Sequence, residues 1–242
     1  MPAATILAHL QTLDAERRRR AADTTLNDRV VALKAFQQRR FALTYADLLT
    51  SPRYAAAARF FLDELYGPRD FALRDAQFAR VAPAIAQLFT DEIAAAVASL
   101  TELHALSEAL DSAMALELAA PSLTRAAYIR TWQRVGRAED RERQIALTLD
   151  IAGRIDRFTQ RPLLRNSIRL MRGPAMAVGL SELHDLLERS FDTFCALQGA
   201  DAFIGLVACR ERALAAALFA THPRKRGSPG ATAPALAWLP EA

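Results

Sequence analysis

The sequence has 242 residues, with 31 basic and 27 acidic side chains and a formal net charge of +4 at neutral pH. Apolar residues make up 52% of the chain and only 9 residues are glycine, a composition that favours helices over sheets and allows a sizeable core. No apolar stretch of about 18 residues is free of charge, which argues against a transmembrane helix. The composition therefore predicts a soluble, all-α protein.

The charge pattern and the N-terminus limit the choice of partner and compartment. Arginines alternate with aspartates and glutamates along most of the chain, whereas a nucleic-acid interface needs a clustered basic face, so a nucleic-acid partner is not expected. The first residues lack the basic segment and apolar core of a signal peptide, so a cytoplasmic protein is expected. Cys195 and Cys209 lie in apolar sequence, which is typical of reduced core cysteines, with a disulfide or redox pair as the alternative.

The N-terminal part of the chain predicts three helices. Apolar residues at helical spacing predict the first over residues 4–22, and a threonine at position 24 or 25 can cap the second. Ser51-Pro52 marks the start of the third, because serine is a good N-cap and proline fits the first helical turn. Gly67-Pro68 marks its end, because glycine readily forms a left-handed C-cap and the residue before a proline disfavours the helix.

Caps, glycines and prolines divide the rest of the chain into further helices. Their predicted ranges are 73–89, 90–118, 122–136, 138–158, 161–173, 179–198 and 201–220. No long linker separates them, so we predict one domain over residues 1–221, a multi-helix bundle of about nine helices. The composition then changes to proline, glycine, serine and arginine, which predicts a disordered basic tail over residues 222–242.

The block Phe60–Phe71 is the most distinctive part of the sequence, since it combines four aromatic residues with Gly-Pro and Arg-Asp. One interpretation is structural: the aromatic residues pack the end of the third helix, and the charged residues bind neighbouring helix ends. The other is functional: the block forms an apolar groove for a helix of a protein partner or for a hydrophobic small molecule. The candidate binding residues are then Phe61, Glu64, Tyr66, Arg69, Asp70 and Phe71.

A metal site is the alternative function, based on two i, i+4 pairs, His104 with Glu108 and His184 with Glu188. Residues four apart share a helix face, as metal ligands on one helix must. A carboxylate-bridged di-iron bundle uses the spacing Glu-x-x-His instead, which the chain lacks. A site built from both pairs requires the two histidine faces to meet within a few Å.

Several short motifs carry a resemblance to a family. They are Ser51-Pro52-Arg53-Tyr54, the Phe60–Phe71 block, Arg74-Asp75, Leu170–Ala175 and Gly179-Leu180. With these motifs the chain resembles a family of uncharacterised proteobacterial all-helical proteins, a domain of unknown function with an FFLxxLYGPxDF signature. The resemblance covers roughly residues 25–220, implies an all-helical fold, and implies no activity, so no catalytic residue carries over.

The absence of catalytic motifs decides the functional prediction. The chain has no Gly-x-Ser-x-Gly elbow and no glycine-rich phosphate loop, and it identifies no cofactor. The sequence therefore favours a non-catalytic helical binding or interaction module, which could also form a homo-oligomer. A metal- or cofactor-dependent enzyme that uses His104 and His184 is kept as the alternative.

Overall fold

The computed structural model describes residues 2–64, 73, 76–81, 90–118, 123–220 and 234–241. Within these ranges the chain is helical and contains no strand, which confirms the predicted all-α fold. Nine of the helices have seven or more residues, in agreement with the predicted number. The fold is a helical bundle.

The helices follow one another along the chain with short connections, and a further helical stretch covers residues 76–81. They are α1 (Pro2–Ala21), α2 (Thr24–Thr44), α3 (Ala46–Thr50), α4 (Ala55–Glu64), α5 (Asp91–Glu117), α6 (Arg125–Val135), α7 (Ala138–Thr159), α8 (Pro162–Leu170), α9 (Arg172–Ala177), α10 (Ser181–Leu197), α11 (Asp201–Ala220) and a 3₁₀-helix (Pro234–Trp238).

Local chemistry explains several of the helix ends. Gly136 adopts a positive φ of 63° after the last residue of α6, and Pro162 is the first residue of α8, both as predicted. The cap of α2 lies one position before the predicted threonines, because the carboxylate of Asp23 accepts a hydrogen bond from the Leu26 amide at 3.0 Å. Thr124 caps α6 in the same way, accepting from the Ala127 amide at 3.3 Å.

Helix α5 is the central helix of the bundle and packs against α1, α2, α6 and α7. By length and composition it is the one described helix that could cross a membrane, although the sequence analysis expected none. Its buried residues include Glu108 and Asp111 as well as Leu110 and Met114. Because its neighbours in the bundle cover these charged groups, we interpret α5 as a core helix and not as a membrane span.

The apolar core consists of three larger clusters and one small one. The first joins α2, α5, α6 and α11, the second joins α2, α3, α4, α7, α10 and α11, and the third joins α1 to residues 76–81 and α10. Buried aromatic residues fill the first two clusters, with Phe36, Tyr128 and Trp132 in one and Phe41, Tyr45, Phe61, Phe194 and Phe203 in the other.

The C-terminal segment over residues 234–241 differs from the predicted disordered tail. Leu236 and Leu239 are buried in the first core cluster, with exposed fractions of 3% and 0%. The Arg125 side chain donates from Nε to the Leu239 carbonyl at 3.1 Å, and the Arg125 amide donates to the Glu241 carbonyl at the same distance. The average composition of 222–242, on which the predicted tail was based, conceals a short apolar run near its end. The other residues of the predicted tail, 222–233 and 242, lie outside the described ranges.

Replacing Leu239 with alanine should lower the free energy of unfolding by about 2 to 3 kcal/mol, because the substitution leaves a cavity against the first core cluster. This loss lies at the low end of the range for a buried leucine replaced by alanine, since a terminal segment can detach without unfolding the bundle. Urea denaturation measures it. Ala237→Ser is the matched control, since Ala237 lies on the exposed side of the same 3₁₀-helix. If Leu239→Ala and Ala237→Ser both changed the free energy of unfolding by the same small amount, the docked position of residues 234–241 would be contradicted.

Candidate ligand-binding site

Phe61, on α4, lies in the core at the end of the helix. It is 5% exposed, and its ring centroid lies 5.5 Å from that of Phe203 and 6.2 Å from that of Phe194. Tilted aromatic pairs at these distances are favourable beyond the area that they bury. The structural interpretation of the aromatic block therefore holds for this residue.

Glu64, the last residue of α4, is a buried carboxylate with 4% of its surface exposed. The guanidinium of Arg189 on α10 lies 2.8 Å from its Oε1 atom, which connects the two helices. A buried carboxylate needs such a partner, because the cost of removing it from water is otherwise too large. The other four predicted binding residues, Tyr66, Arg69, Asp70 and Phe71, lie outside the described residues.

A cavity of about 240 Å³, here called the apolar cavity, lies beside Phe61 and Glu64. Residues of α4, α5, α7, α8 and α10 line it, together with Phe78 from the stretch 76–81. Most of its lining is aliphatic or aromatic. The lining phenylalanines are Phe60, Phe61, Phe78, Phe158, Phe191 and Phe194.

Helix α8 covers one side of the apolar cavity. Leu164 and Ile168, four residues apart and so on one helix face, line the cavity. Leu163 and Leu170 are 82% and 79% exposed, and no residue of α8 is buried. The arginines of α8 bind the surface of α10: Arg165 lies 2.8 Å from the carboxylate of Asp192. Exposed pairs of this kind contribute little stability, so α8 is weakly held.

A second cavity of about 100 Å³, here called the polar cavity, lies among α2, α5, α6, α7 and α11. Its lining is rich in charged and hydrogen-bonding side chains, in contrast to that of the apolar cavity. They are Lys34, Gln37, Arg40, His104, Ser107, Glu108, Asp111, Tyr128, Trp132, Arg141, Gln144, Thr148 and Glu211.

Glu108 is the most strongly bound carboxylate of the polar cavity. The Arg20 guanidinium donates to its Oε2 atom, and the Lys34 ammonium donates to Oε1 at 2.6 Å. Burial would raise the pKa of Glu108, but the charges of Lys34 and Arg20 outweigh burial and lower the pKa to about 2. The carboxylate is therefore ionised at neutral pH and holds α1 and α2 against α5.

The pKa values of Asp111 and Tyr128 are shifted in the opposite direction, upwards. Burial raises the pKa of Asp111 against the opposing charge of Lys34, and Gln37 donates to its Oδ1 atom at 3.0 Å. Burial also raises the pKa of Tyr128, so its hydroxyl keeps its proton at neutral pH. The ring of Tyr128 stacks on Phe36 with centroids 4.8 Å apart, which fixes its position in the core.

Arg141 lies over the face of Trp132, with its guanidinium carbon 3.9 Å from the ring centroid. It is 4% exposed and donates to the amide oxygen of Gln144 at 3.2 Å. Gln144 in turn donates to the Ser107 hydroxyl at 2.8 Å. The stacking keeps a cation inside the bundle, where cation–π contacts are strongest because water is excluded.

The two cavities share a wall. Four residues line both of them: Phe61, Leu103, His104 and Thr148. The apolar and polar cavities are therefore adjacent, with α4, α5 and α7 common to both.

Two of the four residues predicted as metal ligands, Glu108 and Glu188, bind cationic side chains. Glu108 binds Arg20 and Lys34, and Glu188 binds Arg172 at 2.7 Å. His184 is buried, and its Nε2 atom lies 3.9 Å from Glu188. Across the part of the chain that the structure describes, no three His, Cys, Asp or Glu side chains are grouped closely enough to hold a metal ion. Nothing in the described residues therefore favours the metal alternative.

The two cysteines differ from the expected core positions. Both thiols are free, but Cys195 is only half-buried and Cys209 is exposed. Cys195 accepts a long hydrogen bond from Arg165, at 3.4 Å between Sγ and Nη1.

The sequence analysis did not identify the polar cavity. Lys34, Asp111, Tyr128 and Arg141 come from four different helices, and no spacing along the chain links them. One signal was present: Lys34 is one of only two lysines in a chain with 31 basic residues. Lysine differs from arginine in its compact ammonium group, so its use at position 34 was a feature to examine.

The described residues form an all-helical bundle that contains two adjacent cavities. A family model described as Domain of unknown function (DUF8198) matches residues 16–225. The chain belongs to this family, an uncharacterised domain family, as the resemblance implied. A search of curated proteins and a search of solved structures gave no match.

Proposed function

We propose that the protein is a non-catalytic helical binding module that holds a hydrophobic small molecule in the apolar cavity. The observation that carries this proposal is the cavity itself, about 240 Å³ with a largely apolar lining. Protein interiors are packed to the density of organic crystals and leave few voids of this size.

The volume and position of the cavity favour a small molecule over a protein helix. An engineered apolar cavity of about 150 Å³ binds benzene, so 240 Å³ suits a ring or a short alkyl chain. Side chains from five helices surround the cavity, whereas a partner helix needs a long open groove. A hydrophobic small molecule therefore has more support as the ligand than a helix of a protein partner.

Helix α8 supplies the route of access. It lines the cavity with Leu164 and Ile168 but has no buried residue of its own. Segments with few buried contacts open at low free energy, so α8 can move while the bundle stays folded. The hydrophobic molecule would pass beneath it.

We also propose a cytoplasmic location and a proteobacterial origin, with the Phe60–Phe71 block as the family signature. The free thiols of Cys195 and Cys209 support the cytoplasm, because reducing compartments keep cysteines in this form.

Replacing Ala96 with phenylalanine should abolish hydrophobic binding, since Ala96 lines the apolar cavity on α5 and the added ring would fill it. We expect at least a tenfold loss of affinity for the neutral fluorescent probe N-phenyl-1-naphthylamine, without a loss of thermal stability, because filling a cavity usually stabilises. Ala138→Phe is the control, since Ala138 is exposed at the start of α7 and lines neither cavity. Unchanged probe binding in Ala96→Phe, or no binding by the wild type, would overturn the proposal.

A further inference from the structure

We propose that the ligand is an amphiphile with a carboxylate head group, of the fatty-acid class, whose apolar chain lies in the apolar cavity and whose head group lies in the polar cavity. This inference rests on the proposed function and adds the chemistry of the head group. It depends on the adjacency of the two cavities, on a buried indole donor without an acceptor, on the tyrosine hydroxyl of the same helix, and on the charges that line the polar cavity.

Because the two cavities are adjacent, one elongated molecule can occupy both, with its apolar chain in one and its head group in the other. Phe61, Leu103, His104 and Thr148 line both cavities. A molecule that fills the apolar cavity and extends past these residues reaches the charged compartment. The two volumes, about 240 Å³ and about 100 Å³, match a chain that is larger than its head group.

Tyr128 contributes a hydroxyl group to the residues that line the polar cavity. The residue is 2% exposed, and its ring contacts Phe36 and Trp132. A tyrosine hydroxyl both donates and accepts, so it can donate to an acceptor in this cavity.

Trp132 provides a buried donor without an acceptor among the described residues. Its Nε1 atom is buried and has no hydrogen-bond partner in the described residues. Trp132 also lines the polar cavity, next to Tyr128 on α6. An indole nitrogen only donates, so this atom requires an acceptor.

The charges of the polar cavity select an anion. Lys34, Arg40 and Arg141 oppose Glu108, Asp111 and Glu211 along the lining. Arg20 is not part of the lining but binds Glu108, which it shares with Lys34. Burial favours the neutral form of Asp111, which leaves the cations of the lining less opposed. A cavity lined by cations can hold an anion, and a carboxylate accepts from several donors at once.

Lys34 has donors left for such a head group. Its ammonium carries three N–H groups, and the structure gives it one hydrogen bond, to Glu108 at 2.6 Å. Hydrogen bonds to a charged acceptor are short and about twice as strong as neutral ones. Lys34, Tyr128 and Trp132 together therefore discriminate a carboxylate from a neutral head group on the same chain.

The test compares three ligands with the same alkyl chain. Isothermal titration calorimetry at neutral pH with octanoate, octan-1-ol and octylamine measures the contribution of the head group alone. We expect octanoate to bind wild-type protein at least about tenfold more tightly than octanol, and octylamine to bind most weakly. Tyr128→Phe removes only the hydroxyl and should reduce octanoate affinity about tenfold while leaving octanol affinity unchanged.

Tyr54→Phe is the matched control, since Tyr54 lines neither cavity. It should leave the affinity of all three ligands unchanged. Equal binding of octanoate and octanol by the wild type would overturn the head-group inference and leave the hydrophobic-ligand proposal standing. If Tyr128→Phe lost affinity equally for octanoate and for octanol, the tyrosine would have a structural role, and the inference would also be overturned. No binding of any ligand would overturn both proposals.

Discussion

Replacing Glu108 with glutamine is expected to lower the free energy of unfolding by about 3 to 5 kcal/mol. The wild-type carboxylate is 7% exposed and holds Arg20 and Lys34, so the neutral amide would leave two cations in the interior without their counter-charge. Urea denaturation of the purified protein measures the loss. Glu102→Gln is the control on the same helix, because Glu102 forms an exposed pair with Arg143 and should cost at most about 1 kcal/mol.

The same carboxylate predicts how stability depends on pH. The pKa of Glu108 lies at about 2 in the folded protein, against an ordinary value of 4.5. A lowered pKa means that the stabilisation is fully present above pH 4.5 and is lost as the pH falls towards 2, by about 3 kcal/mol in total. The difference in stability between wild type and Glu108→Gln should therefore shrink between pH 5 and pH 2. A constant difference over this range would show that the ion pairs do not form.

Replacing Phe61 with alanine should also cost about 3 to 5 kcal/mol, as expected for a buried phenylalanine. Its ring contacts Phe194 and Phe203 in the second core cluster, so the substitution removes contacts from both. Because Phe61 also lines both cavities, the substitution would join them into one larger space.

Thermal and urea denaturation measure the stability of Phe61→Ala. Phe60→Ala is the control, since Phe60 is the neighbouring residue on α4 and only half-buried, and its effect should be clearly smaller. A loss below about 1 kcal/mol for Phe61→Ala would mean that the side chain lies at an open surface and not in the core.

The helical class and many helix ends could be predicted because they depend on neighbouring residues. Gly136 and Pro162 act through their own backbone preferences, whatever the rest of the chain does. The Gly173-Pro174 break shows the limit of this reasoning. Helix α8 ends at Leu170, and Gly173-Pro174 lies inside the first turn of α9, where the missing amide of proline costs nothing.

The candidate site could be predicted only in part, because it depends on which helix faces meet. Two residues of the aromatic block lie at the cavities: Phe61 lines both, and Glu64 lines the apolar one. His104 was selected as a metal ligand with Glu108, and it does lie at the shared wall, but Glu108 binds Arg20 and Lys34. Helical periodicity places residues on one face and does not identify the helix opposite.

The docked C-terminal segment means that this chain completes its core with residues outside the domain that the family model recognises. Leu236 and Leu239 lie beyond residue 225, where the match ends, and Ile6 and Leu13 precede residue 16, where it begins. All four are buried, so a protein trimmed to the matched residues would expose apolar surface at two places. The bounds of the family match describe the sequence that related chains share. The residues that this chain uses to bury its core extend beyond those bounds at both ends.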